Sequence, residues 1–233
     1  MGKFLKDKNY FFCFSPEVML ATFLIEIILA VYVFFRYKMG FFGKIVVSLL
    51  VLLAAFQLAE YKICTGYNGI VWSKIGFVVI TLLPVLGLHL ISFIAKRKHF
   101  LTLGYALVTT YILIFIFAPK GITGATCGGN YIIFQTAQEL SWTYTIYYFG
   151  FLLLGIWQAL EGIRNNNNDA DNSDKKLLWW MIAGYTSFML PMAIVAAVAP
   201  LVAWNATPSI MCGFALALAL VLAFKVAPIY SKK

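Results

Sequence analysis

Seven long apolar runs occupy most of this 233-residue chain, near Val18–Phe35, Ile45–Ala59, Ile75–Ala95, Leu101–Ala118, Trp142–Leu160, Leu177–Ala199 and Ser209–Val226. About 20 predominantly apolar residues in a helix cross the hydrocarbon of a bilayer. A helix also satisfies its own backbone where no water can. Charged residues make up 12% of the chain, against roughly 25% in soluble domains. The expected fold is therefore all-α: a polytopic membrane protein forming one seven-transmembrane-helix bundle over residues 1–233. Any chemistry must sit between helices or in short loops.

Lys3, Lys6 and Lys8 before the first run resemble the n-region of a signal peptide. No small-residue cleavage site follows, and Arg36-Tyr37-Lys38 reads as a stop-transfer flank, so the first run is expected to stay as a helix. Lys6 stands where a myristoylation motif needs Ser or Thr. The net charge of +9 does not point to nucleic acid, because the cations sit at the ends of apolar runs. If the runs alternate, twelve basic residues share one side: Arg36, Lys38, Lys44, Lys96, Arg97, Lys98, Arg164, Lys175, Lys176, Lys225, Lys232 and Lys233. Six share the other: Lys3, Lys6, Lys8, Lys62, Lys74 and Lys120. Basic residues accumulate on the cytoplasmic side. The N-terminus is thus expected outside and the C-terminus in the cytoplasm of a multi-pass cell-membrane protein whose first partner is the lipid bilayer.

The polar stretch Asn165–Ser173 is expected to be an inner link. The outer connection Pro119–Gln138 holds Gly121, Gly124, Gly128 and Gly129 and is expected to be irregular, with Tyr131–Phe134 a lead-in turn to the fifth helix. Pro84 and Pro191 interrupt the third and sixth runs and remove one helix hydrogen bond each. The four cysteines, Cys13, Cys64, Cys127 and Cys212, all fall toward the outer side. An oxidising exterior permits disulfides, and four cysteines allow three full pairings. The preferred single bridge is Cys64–Cys127, since both occupy glycine-containing loops. With only His89 and His99 besides, no metal site is expected.

Two polar stripes lie toward that same side. Gln57 and Glu60 are three apart at the end of the second helix. Gln135, Gln138, Glu139 and Trp142 follow helical spacing where the fifth begins, so each set shares a face. Trp72 lies at similar depth. Tryptophan at the membrane interface and an acid at a helix N-terminus have ordinary structural explanations. The functional reading is an outward-facing pocket made by Gln57, Glu60, Trp72, Gln138, Glu139 and Trp142. Deeper, Glu26 and His89 are ionisable groups inside the membrane, where such residues are costly and need partners. They differ in depth by about 10 Å at roughly 1.5 Å per residue, too far for direct contact. Lys225 lies at the inner end of the seventh run with no carboxylate counter-ion on the third, which excludes a retinal Schiff base. No hydrolase, metalloprotease or nucleotide-binding motif occurs, so neither an enzyme nor a cofactor is expected.

The segments FQLAEYKIC (Phe56–Cys64) and VWSKIGFVVITLLPVLGLHL (Val71–Leu90) resemble the seven-helix N-terminal sensor region of bacterial histidine kinases. There an acid ends the second helix, a Trp opens the third and a Pro follows about a dozen residues later. Glu60, Trp72 and Pro84 match those positions. No kinase domain follows the seventh run, so the resemblance implies a sensor module acting through a separate cytoplasmic or membrane signalling partner. The leading expectation is a receptor-like or sensor-like protein binding a small ligand near the outer leaflet. The alternatives are a small transporter or proton-coupled carrier using Glu26, and a structural or assembly subunit.

Overall fold

The computed structural model describes residues 15–38, 40–98, 100–127, 132–165, 172–198 and 200–232, with side chains left undescribed at 165, 200–206, 208, 209 and 212. Cys13, His99 and the side chain of Cys212 lie outside that set. The chain forms α1 (Pro16–Arg36), α2 (Gly40–Cys64), α3 (Gly69–Ala95), α4 (Leu101–Phe117), α5 (Gln138–Asn165), α6 (Asn172–Val198) and α7 (Pro200–Val221). A π turn, Leu222–Val226, carries α7 into the short α8 (Ala227–Ser231). Six segments are long and apolar enough to cross a membrane; α4, at 17 residues, is shorter and sits at the low end of the spanning range of about 17–25.

The helices start and stop for local reasons. Pro16 occupies the first turn of α1, where its missing N–H is not needed. Asn68 caps α3 by accepting the Val71 N–H at 3.3 Å. Pro84 lies within α3 and deprives the Ile80 carbonyl of its usual donor, yet the helix continues. The π turn has a similar origin. Pro228 cannot donate to Phe224, and the wider turn is carried instead by the Ala227 N–H bonding the Leu222 carbonyl.

Packing runs α1–α2–α3 and α5–α6–α7, with α7 returning against α1 and α2. Of the spanning segments α3 is the most buried, and it touches α2, α4, α5 and α6. Large apolar side chains point outward all along the bundle, among them Phe35 (79% exposed), Phe117 (74%) and Ile146 (70%). A water-soluble monomer rarely exposes so much contiguous apolar surface; lipid removes the penalty.

One expectation is corrected. The 119–138 connection contains an antiparallel hairpin of β1 (Gly124–Cys127) and β2 (Ile132–Gln135), with Gly124 opposite Gln135 and Cys127 opposite Ile132. Ile132–Phe134 is therefore strand rather than a lead-in turn; Tyr131 lies outside the described residues. The glycines suggested irregular chain, but Ile132, Ile133 and Phe134 have strong strand preference. Cys127 is bonded to Cys64, the last residue of α2, with Cα atoms 5.2 Å apart. The disulfide thus pins the hairpin to the bundle.

Candidate functional site

Beneath the hairpin, α3, α4, α5 and α7 leave a cavity of about 90 Å³. Its walls are built from aromatic side chains. Phe77 of α3 lies 4.7 Å from Phe115 of α4 and 5.0 Å from Phe134 of β2, centroid to centroid. Tyr144 of α5 lies 5.5 Å from Phe77 and 5.3 Å from Phe115. These tilted and edge-on contacts suit the aromatic quadrupole. On α5, Tyr144, Tyr147, Tyr148 and Phe151 follow the i, i+3, i+4, i+7 spacing that places them along one face.

The polar part of the wall is held in place where α3 passes through its proline. Thr81 donates its hydroxyl to the Phe77 carbonyl and lies 3.2 Å from the Tyr144 hydroxyl. Tyr147 donates to the Thr81 carbonyl at 2.6 Å, beside the Ile80 carbonyl that Pro84 leaves without its helix donor. Among the described residues, every polar side chain lining the cavity is a hydroxyl: Thr136, Ser141, Tyr144, Thr145, Tyr148 and Thr207. Such a wall can hydrogen-bond a neutral molecule and offers no counter-charge to an ion. A second, deeper cavity of about 30 Å³ shares Tyr148 and Met211 with the first.

No family model, curated protein or solved structure matches this chain. The reading therefore rests on the molecule itself.

The structure does not bring the six sequence-derived pocket residues to this cavity, whose lining contains none of them. Gln57 and Glu60 do share a face, and both are buried at 2% exposure. Gln138, Glu139 and Trp142 face outward, while Trp72 is half-buried. Gln135 belongs to β2, so the helical stripe starts only at Gln138. Spacing showed which residues share a face but not where that face points. The cavity lies on the other face of α5, two residues on, at Leu140, Ser141 and Tyr144.

Glu26 is completely buried. Neither of its carboxyl oxygens has a hydrogen-bond partner among the described residues, and Glu60 lies within electrostatic reach. His89 is half-buried; its Nδ1 lies 2.8 Å from the Tyr105 hydroxyl of α4 and its ring packs near Phe41. Thr109 and Thr110 bond carbonyls of their own helix. Toward the other end of the bundle, Ser92 donates to Gln158 Oε1 at 3.0 Å and Gln158 Nε2 donates to the Arg97 carbonyl at 3.1 Å. Arg97 also pairs with Glu161. These bonds lock α3 to α5 far from the hairpin. Exposed Lys225 sits in the π turn with its Nζ 5.1 Å from the Trp180 ring centroid.

Proposed function

We propose that this protein is a receptor-like or sensor-like membrane protein that binds a small neutral molecule in the chamber beneath the hairpin. The observation that carries the reading is an aromatic chamber whose polar side chains, among the described residues, are all hydroxyls, framed by four helices and a disulfide-pinned hairpin. Binding sites of this type combine apolar walls with a few placed polar groups. In this reading the bundle crosses the cell membrane seven times, with the N-terminus outside and the C-terminus cytoplasmic. Two independent features support that orientation. The basic residues favour the end away from the hairpin, and the disulfide at the hairpin end suits an oxidising exterior. Occupancy is communicated to a separate partner, as the resemblance to kinase sensor regions implies. Pro84, one turn from Ile80 in the chamber wall, provides the hinge. A ligand shifts such an equilibrium only if it binds the two states with different affinity.

The test is a high-resolution structure of protein purified in native lipid. Density in the chamber touching Tyr144 or Ser141 is expected. A chamber filled by collapsed side chains in native lipid would refute the reading.

A second reading, a proton-coupled carrier, is favoured by the fully buried carboxyl of Glu26, which no described residue bonds. It requires pH-dependent flux in liposomes that Glu26→Gln abolishes; flux unchanged in the variant would sink it.

A further inference from the structure

The deeper cavity is lined by a polar side chain that has no partner among the described residues. Tyr185 of α6 is 2% exposed, lines the cavity, and its hydroxyl makes no hydrogen bond with any described residue. A buried hydroxyl left unbonded is destabilising, and native interiors satisfy nearly all such groups. The placement is nevertheless strongly determined. Two glycines on two other helices make room for the ring. A Cβ on Gly87 of α3 would lie 2.0 Å from the Tyr185 hydroxyl oxygen, and one on Gly155 of α5 would lie 3.0 Å from the ring's Cε2. The phenol is thus wedged between α3 and α5, and Tyr185 lines a cavity whose other lining side chains, among the described residues, are apolar apart from Tyr148.

The two cavities share two lining residues, Tyr148 and Met211. We propose that the Tyr185 hydroxyl is the deep hydrogen-bonding anchor for the ligand of the chamber. Its ligand is then a small, neutral, largely apolar molecule with a hydroxyl or carbonyl at its leading end. This rests on the chamber being a ligand site. The apolar body lies among Phe77, Phe115 and Phe134, while the leading polar group passes Tyr148 and Met211 to reach Tyr185. A carboxylate or ammonium at that end is disfavoured, because a charge there would be buried with only phenols to face it.

The experiment compares 4-methylphenol with toluene, two probes that differ by the hydroxyl. Each is equilibrated by dialysis with protein-loaded nanodiscs and with empty nanodiscs, so that partition into lipid is subtracted. The native protein should bind 4-methylphenol about fivefold more tightly than toluene, the ratio that one net hydrogen bond supplies. Tyr185→Phe should bind toluene as before and lose the preference. A preference that survives in Tyr185→Phe, or equal binding of both probes by the native protein, overturns the anchor while leaving the chamber a binding site. If neither probe is retained above empty nanodiscs, the chamber reading falls along with it. Thermal unfolding without probe supplies a second arm. Tyr185→Phe should unfold at a higher temperature than the native protein, and a lower midpoint would show that the hydroxyl has a partner in the unliganded fold and is no ligand anchor.

Discussion

Gly87 is the position where the packing of Tyr185 can be tested most directly. An alanine there would place its Cβ 2.0 Å from the Tyr185 hydroxyl oxygen, 3.1 Å from Cζ and 3.5 Å from Cε1. To reach the 3.4 Å of an ordinary contact, the oxygen must retreat by about 1.4 Å. The ring cannot withdraw freely, since Gly155 backs it closely enough that a Cβ there would sit 3.0 Å from Cε2. Overpacking of this kind costs about 1–3 kcal/mol. Replacing a mid-helix glycine by alanine returns roughly 1 kcal/mol of helix propensity. Gly87→Ala alone should therefore cost the bundle about 0–2 kcal/mol.

Tyr185→Phe removes the atom that makes the 2.0 Å contact and leaves the 3.1 Å contact to Cζ, which a shift of a few tenths of an ångström relieves. In that background Gly87→Ala should be neutral or stabilising by up to about 1 kcal/mol. The double-mutant cycle should then show a favourable coupling of about 1–3 kcal/mol. The assay is reversible denaturation in bicelles, followed by near-ultraviolet circular dichroism. Additivity of the two substitutions within about 0.5 kcal/mol would refute the contact and the wedge built on it.

Cys64→Ser and Cys127→Ser should lower stability equally, and reductant should do the same to the native protein alone. The bridge closes a separation of 63 residues, for which chain entropy allows up to about 4 kcal/mol; a thermal midpoint indifferent to reductant would contradict this. Gln158→Ala removes bonds to both Ser92 and the Arg97 carbonyl and should cost about 1–3 kcal/mol. Ser92→Ala should cost less, and the reverse ranking in the same denaturation assay would overturn the assignment of Gln158 as the bridging residue. Glu26→Leu should leave stability unchanged or raise it, since no described residue bonds the carboxyl. A loss above about 3 kcal/mol would reveal a partnered carboxylate.

The helices were legible because lipid forces long apolar runs, but their ends were not. The sequence reading of Ile45–Ala59 falls well inside α2, Gly40–Cys64. The missing turns contain Gly40, Gly43 and Lys44 at one end and Glu60, Tyr61 and Lys62 at the other, polar or small residues that an apolar window rejects. Cys64–Cys127 was legible because both cysteines fall beyond the apolar runs on the same side, although Cys64 ends α2 and Cys127 ends β1. The hairpin was hidden because four-residue strands among glycines carry almost no periodic signal. Tyr144, Tyr147, Tyr148 and Phe151 could be assigned to one face of α5, but a stripe of aromatics facing a chamber has the same spacing as one facing lipid. The Tyr185 wedge was out of reach altogether. It depends on residues from α3, α5 and α6 meeting at one depth, and no local pattern encodes that meeting.

Among the described residues, Glu26 and Tyr185 are buried side chains with no hydrogen-bond partner at all, and the difference between them ranks the functional readings. Both are sealed from solvent, and no described residue bonds their oxygens. Tyr185 borders a cavity that shares Tyr148 and Met211 with the aromatic chamber, so the proposed ligand would complete its hydrogen bonding. Glu26 lines neither cavity. It is matched only to an occupant that needs no volume, a proton, with Glu60 the nearby carboxyl that would respond to it. A proton alone explains neither an aromatic chamber nor two glycines cleared for a phenol. A bound neutral molecule, as proposed, would account for both, and leaves Glu26 as the feature on which the carrier reading depends.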